Sequence, residues 1–227
     1  MALYAIGDVH GCARTLDALL GALAADAGVP LGPSDTLVFV GDYVDRGPDS
    51  PGVLDRVLAL EADAAGPAVV VLRGNHDQMM LDYATGVGDT ELWWANGGRT
   101  TLDAYATRGD LRLPEAHIDL LRRSGLVCEA EGYVFVHAGL DPKKTVAENL
   151  ADPDADVLLW TREHLTADLS LWERPVVCGH TPNPDPVDLP NLVRIDTGAV
   201  FADRPGLGRL TAVRIPERRF VTVDYCG

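Results

Sequence analysis

Five short apolar runs in this chain each break off beside a glycine and a group of Asp, His, Asn or Arg residues. They are "YAIGDVHG" (4–11), "VFVGDYVDRG" (38–47), "VVLRGNHD" (70–77), "VFVHAG" (134–139) and "VVCGHT" (176–181). In open α/β sheets, ligands sit beyond the carboxyl ends of the strands. Five strand ends of this kind therefore converge on one place, and the neighbouring glycines permit tight turns and close backbone approach. Turn chemistry accounts for one Asp-x-His or Gly-Asp. It does not account for five, spread from residue 4 to residue 181.

The remaining patterning fits an α/β chain. Leu3–Ile6, Thr36–Val40 and Ala68–Leu72 read as strands, the last apolar enough to expect burial on both faces. Leucines at 16, 19, 20 and 23 form a helical stripe over Ala13–Ala27, ended by Gly28 and Pro30. A helix is expected from Pro51 to Ala65 with Ser50 as its N-cap, and another after Gly74. Residues 89–125 read as helical. Later runs at Tyr133–Val136, Val176–Cys178, Leu192–Ile195, Leu210–Ile215 and Phe220–Val223 are short and β-rich, the last two forming a hairpin around Pro216–Arg219. No linker divides the chain. The fold class expected is α/β, with residues 1–227 forming one domain of two packed mixed β-sheets flanked by helices.

Four of the six histidines, His10, His76, His137 and His180, fall in the five clusters. His117 and His164 lie on expected helices and read as surface or satisfied residues. The donors are oxygen and imidazole nitrogen without thiolate, which suits Mn, Fe, Zn or similar divalent ions and argues against a closed structural zinc site. They outnumber the needs of one ion. A pair of ions ~3.5–4 Å apart, bridged by one carboxylate, is what such a set can hold.

Composition narrows the partners. With 19 basic and 34 acidic residues the formal charge is −15, so no nucleic-acid or anionic-membrane surface is expected. Any phosphate site must be a local positive island. The four cysteines show no CxxC spacing and no apolar run reaches the ~20 residues of a membrane helix, so a cytoplasmic protein with reduced thiols is expected. A monomer is the expected state.

In combination and in this order, "GDVHG", "GDYVDRG", "GNHD", "HAG" and "GHT" resemble the calcineurin-like metallophosphoesterases. They are most similar to the phosphoprotein phosphatase branch and its small bacterial and bacteriophage members, and "IDTGAVF" (195–201) also looks like that branch. The resemblance implies two divalent ions, Mn²⁺ first and Fe, Zn, Ni or Co as alternatives. Asp8 and His10 would bind one ion, Asp42 would bridge both, and Asn75, His137 and His180 would bind the other. His76 would be the general acid with Asp45 orienting it. Arg46 would hold phosphate oxygens, and Arg162, in "LLWTREHL" (158–165), would be a second phosphate-binding arginine.

The activity so implied is hydrolysis of phosphomonoesters by a hydroxide shared between the ions. Phosphoserine and phosphothreonine in proteins lead, with phosphotyrosine and small phosphate esters beside them. Diadenosine tetraphosphate hydrolases share the metal motifs but usually read "VARG" where this chain reads "VDRG". A nucleotide phosphodiesterase is a weaker alternative, and a scaffold without catalysis is disfavoured because every expected ligand is present. Trp93 reads as core or cleft wall, "NGGR" (96–99) as a turn, Cys12 as an inert buried thiol, and Arg73 as a loop anchor through ion pairing.

Overall fold

The computed structural model describes residues 1–110 and 112–227; the expected helical stretch 89–125 thus includes one position, 111, outside them. Among the described residues ten strands form two mixed sheets. The first contains β1 (Leu3–Ile6), β2 (Thr36–Phe39), β3 (Ala68–Val71), β9 (Arg209–Ile215) and β10 (Arg219–Asp224), ordered β10-β9-β1-β2-β3. The second contains β4 (Val127–Ala130), β5 (Tyr133–Val136), β6 (Val176–Cys178), β7 (Val187–Leu189) and β8 (Leu192–Arg194), ordered β4-β5-β6-β8-β7. β1 runs parallel to β2, and β2 to β3. β5, β6 and β8 are likewise parallel. Parallel strands carry their carboxyl ends to one edge, which is how residues far apart in sequence reach one site.

The period-2 alternation of strands sorts side chains between layers. Leu3, Ala5, Val38 and Val40 of the first sheet pack on Phe135, Val177, Val193 and Ile195 of the second. The alternate residues Tyr4, Ile6, Leu37 and Phe39 face helices α1 (Ala13–Ala27) and α2 (Ser50–Ala62) through Leu16, Leu19, Leu23, Val53 and Leu54. On the far side, Val134, Val136 and Val176 pack with Val146 and Leu158. The other helices are α3 (Asn75–Thr85), α4 (Thr90–Trp93), α5 (Arg99–Arg108), α6 (Glu115–Arg123), α7 (Val146–Ala151) and α8 (Ala155–Trp160). Among the described residues no helix is long and apolar enough to cross a membrane.

Several expectations need correction. β3 is an edge strand whose first residue, Ala68, is exposed, while Val69 and Val70 are only half-buried. A continuous apolar run cannot by itself distinguish a central strand from an edge. The cap of α2 is Asp49, whose carboxylate accepts from the Gly52 N–H, and the helix stops at Ala62. Ser50 is the first helical residue. β4, β7, α7 and α8 do not stand out in the sequence, being short and partly polar. Arg73 anchors its loop on the carbonyl oxygens of Leu121, Arg122 and Ser124 rather than through an ion pair.

Candidate active site

The strand ends do converge. His180 Nδ1 lies 2.9 Å from Asn75 Oδ1 and 3.2 Å from His137 Nε2. His137 Nε2 is 3.0 Å from Asn75 Oδ1 and 3.5 Å from Asp42 Oδ2. On the other side of Asp42, the same Oδ2 is 3.4 Å from His10 Nε2. The His180 N–H donates to Asp8 Oδ2 at 3.0 Å, joining the first strand end to the last. Asp42 is thus shared by two groups, one with His10 and His76 and one with His137 and His180. Asp8 stands beside these groups rather than within either.

Local backbone holds the cluster in place. Among the described residues, His10, Asp42, Asp45, Arg46 and His180 are five of the seven non-glycine positions with positive φ. That conformation is disfavoured for residues with a Cβ and gathers at sites where the surrounding structure enforces it. Two glycines make the approach possible: a Cβ on Gly74 would lie 2.0 Å from Asp42 Oδ1, and one on Gly179 would lie 1.9 Å from Asp8 Oδ1. Buried Asp77 accepts from the Asp42, Tyr43 and Gly74 N–H groups and so ties the second and third strand ends together.

Tautomers follow from the hydrogen bonds. His10 Nδ1–H donates to the Val44 carbonyl at 2.8 Å, and His137 Nδ1–H donates to the Val40 carbonyl at 3.0 Å. Each Nε2 therefore turns a lone pair toward Asp42. Burial lowers the pKa of His10 and His137, and that of His180 to about 2, which keeps these rings neutral near neutral pH. Burial alone would raise Asp42; positive charge on His137, His76, His10 or His180, when one of them is protonated, instead lowers the carboxyl below its ordinary range. Asp8 is pushed well above its ordinary value by burial, then by Asp196 and Asp42. Asp196 is raised by burial to about 6, and its Oδ1 accepts from the Gly198 N–H, which makes it a turn-shaping neighbour.

A buried anion ringed by neutral nitrogen lone pairs and an amide oxygen is a donor set for cations. His180 Nε2 is also buried without a hydrogen-bond partner. With His137 Nε2 and Asn75 Oδ1 both facing its Nδ1, no tautomer of His180 satisfies the whole ring within the protein. These residues fit a divalent ion pair.

His76 is buried beside His10 and Asp42 in the cluster. Its Nδ1–H donates to Asp45 Oδ2 at 2.8 Å, leaving Nε2 facing the Arg46 guanidinium at 2.7 Å. Arg46 also reaches His10 Nε2 at 2.6 Å, with its guanidinium 5.4 Å from the centre of the Phe201 ring. Arg162 is exposed, just ahead of the short turn Glu163–Leu165, and its charge helps to lower His137 and His180. Three residues at the site are not evident from sequence: Trp93, Thr101 and Ser50, all bonded to Asp45 or its backbone. The glycine pair in "NGGR" was the available signal.

The two remaining histidines differ from each other. His117 is buried and satisfied, with Nδ1 2.7 Å from Tyr105 Oη and Nε2 3.0 Å from Asp55 Oδ1. His164 is neither on the surface nor satisfied: it is buried in the turn Glu163–Leu165 and its Nδ1 has no partner. Cys12 is buried, and burial pushes its thiol up to about 12, in keeping with an inert thiol.

Comparison with known proteins agrees with this geometry. Residues 1–206 match the family model for calcineurin-like phosphoesterases. The chain belongs to that family. The phosphoesterase is 34% identical to serine/threonine-protein phosphatase 1 of Salmonella typhimurium, covering 94% of this chain and 91% of that one. It is 31% identical to the asymmetrical bis(5'-nucleosyl)-tetraphosphatase PrpE of Bacillus cereus, covering 96% and 92%. A solved structure provisionally called a diadenosine tetraphosphatase shares the fold, with a TM-score of 0.71 at 24% identity over 100% of this chain and 94% of that one.

Proposed function

We propose that the chain is a metal-dependent phosphomonoesterase acting on phosphoserine and phosphothreonine in proteins. Asp8, His10, Asp42, Asn75, His137 and His180 hold two divalent ions, with Mn²⁺ the first candidate. Bound there, such a pair supplies a water acidified enough to attack near neutral pH and charge to neutralise phosphoryl oxygens. Arg46 binds and orients those oxygens with its guanidinium fork, and Arg162 adds positive charge at the mouth of an otherwise acidic protein. His76 carries a proton on Nε2 to the leaving oxygen, and Asp45 stabilises the imidazolium that must form first.

The observation that carries this reading is the buried Asp45–His76 pair, held at 2.8 Å. A serine or threonine alkoxide is a poor leaving group and needs a proton, whereas a nucleotide phosphate leaves without one. A site that fixes a general acid so firmly suits the former. The tetraphosphatase reading has its own support in the PrpE relative, which matches nearly the whole chain.

Purified, Mn²⁺-loaded protein assayed on phosphoserine and phosphothreonine peptides and on diadenosine tetraphosphate decides between them. A higher kcat/KM on the peptides is expected. A higher value on the dinucleotide would overturn the assignment in favour of the tetraphosphatase.

A further inference from the structure

The sequence "LWWANGGRTT" (92–101) places two neighbouring tryptophans in opposite environments. Trp94 is 36% exposed, with the Arg99 guanidinium 4.8 Å from its ring centre. Trp93 is 1% exposed and points inward. Between α4 and α5 the chain kinks through Trp94–Gly98, where Gly97 leaves helical geometry at φ 108°.

Both glycines of this turn have a steric reason. A Cβ on Gly98 would lie 2.4 Å from carbons of the Trp93 indole, so only glycine lets that ring seat. A Cβ on Gly97 would lie 2.7 Å from Arg46 Cγ, and the Gly97 carbonyl accepts the Arg46 N–H at 3.2 Å. The turn therefore packs closely on Trp93 of its own segment and on Arg46 of the opposite loop.

What Trp93 meets there is Asp45. Its indole Nε1–H donates to Asp45 Oδ2 at 2.9 Å. From the start of α5, the Thr101 hydroxyl donates to Asp45 Oδ1 at 2.8 Å. The Asp45 N–H donates in turn to Thr101 Oγ1 at 2.9 Å and to Ser50 Oγ at 3.1 Å. With His76 Nδ1–H on Oδ2, the carboxylate accepts three hydrogen bonds and both its oxygens are fixed. Two of the three come from a segment 48 to 56 residues downstream of Asp45, and neither donor belongs to the two candidate ion-binding groups.

We infer that Trp93 and Thr101 are positioning residues for the Asp45–His76 pair, seated by the glycine turn 97–98, and that they set how well His76 delivers its proton. This rests on the acid role proposed for His76. A carboxylate free to rotate would leave the imidazole without a fixed axis, and Nε2 would lose its aim at the leaving oxygen. Groups that orient a catalytic histidine in this way matter by about 10–100-fold.

The test compares Trp93→Phe and Thr101→Val with Thr101→Ser, in Mn²⁺-loaded protein, on a phosphoserine peptide and on p-nitrophenyl phosphate. Trp93→Phe and Thr101→Val should each lower kcat on the peptide about tenfold, with KM and the p-nitrophenyl phosphate rate held within about twofold. Thr101→Ser, which keeps the hydroxyl, should restore most of the loss. As a readout apart from turnover, Asp45→Asn should shift the Trp93 indole N–H resonance in a ¹⁵N spectrum of the chelator-stripped protein, free of paramagnetic Mn²⁺. Equal losses on both substrates, no loss on either, or an unmoved indole resonance would overturn the inference. Should Trp93→Phe fail to fold by circular dichroism, the Thr101 pair carries the test alone. His76→Asn separates this inference from the reading beneath it. If that variant discriminates between the substrates while Trp93→Phe and Thr101→Val do not, only the positioning role falls. If it does not discriminate, the acid role falls and the positioning role with it.

Discussion

The buried histidines at the strand ends and buried His117 make an instructive pair of regions. His117 has a protein partner on each ring nitrogen, a tyrosine hydroxyl on one side and a carboxylate on the other. Such a histidine is complete, and its work is structural. His137 and His180 instead turn nitrogens toward each other and toward one amide oxygen, with His180 Nε2 left unmatched. Burial is the same in both regions. What marks a site for an ion is the surplus of lone pairs facing inward.

The largest way to break this contrast is Asp42→Asn, which removes the anion shared by both donor groups. It should reduce bound metal sharply and lower turnover roughly a thousandfold, about 4 kcal/mol of transition-state stabilisation. Metal analysis and rate measurement together check it; full metal content with normal turnover would erase the distinction between the regions.

His76→Asn comes next. It should cost roughly 10²–10³ in turnover on a phosphoserine peptide and far less on p-nitrophenyl phosphate, whose phenolate needs little help from an acid. Parallel rate measurements would show a uniform loss if His76 only supports structure.

His164 sharpens the comparison through pH. Burial, with the Arg194 charge nearby, lowers its pKa to about 4, against 6.5 ordinarily. Its stability contribution is therefore whole above pH 6.5 and lost as pH falls toward 4, at about 1.4 kcal/mol per pH unit. His164→Asn should lose stability less steeply than the parent protein over that window in urea unfolding. Parallel curves would place the histidine's titration elsewhere.

The smallest effect belongs to His117→Gln. Loss of its paired bonds should cost about 1–3 kcal/mol in unfolding free energy while metal content stays unchanged. A drop in metal content would make His117 part of the site after all.

Much of the candidate site was legible because its residues come in contiguous strand-end clusters. "GDYVDRG" carries its glycine, its positive-φ aspartates and its arginine within seven positions, so sequence proximity and spatial proximity coincide. Both sheets were foreseen for the same reason, although β3 looked central and proved to be an edge. β4 and β7 escaped notice because "VCEA" and "VDL" are short and interrupted by acids. The support of Asp45 by Trp93 and Thr101 was invisible, since it spans 48 and 56 residues and depends on how a kink at two glycines aims one indole. Neither periodicity nor spacing encodes such an angle.

The most direct test counts ions. Protein stripped by chelator, re-equilibrated with Mn²⁺ and freed of unbound metal should retain two ions per chain by elemental analysis, and the His137→Ala protein should retain fewer. Retention of none, or of an amount that His137→Ala leaves unchanged, would contradict a dinuclear site at the strand ends.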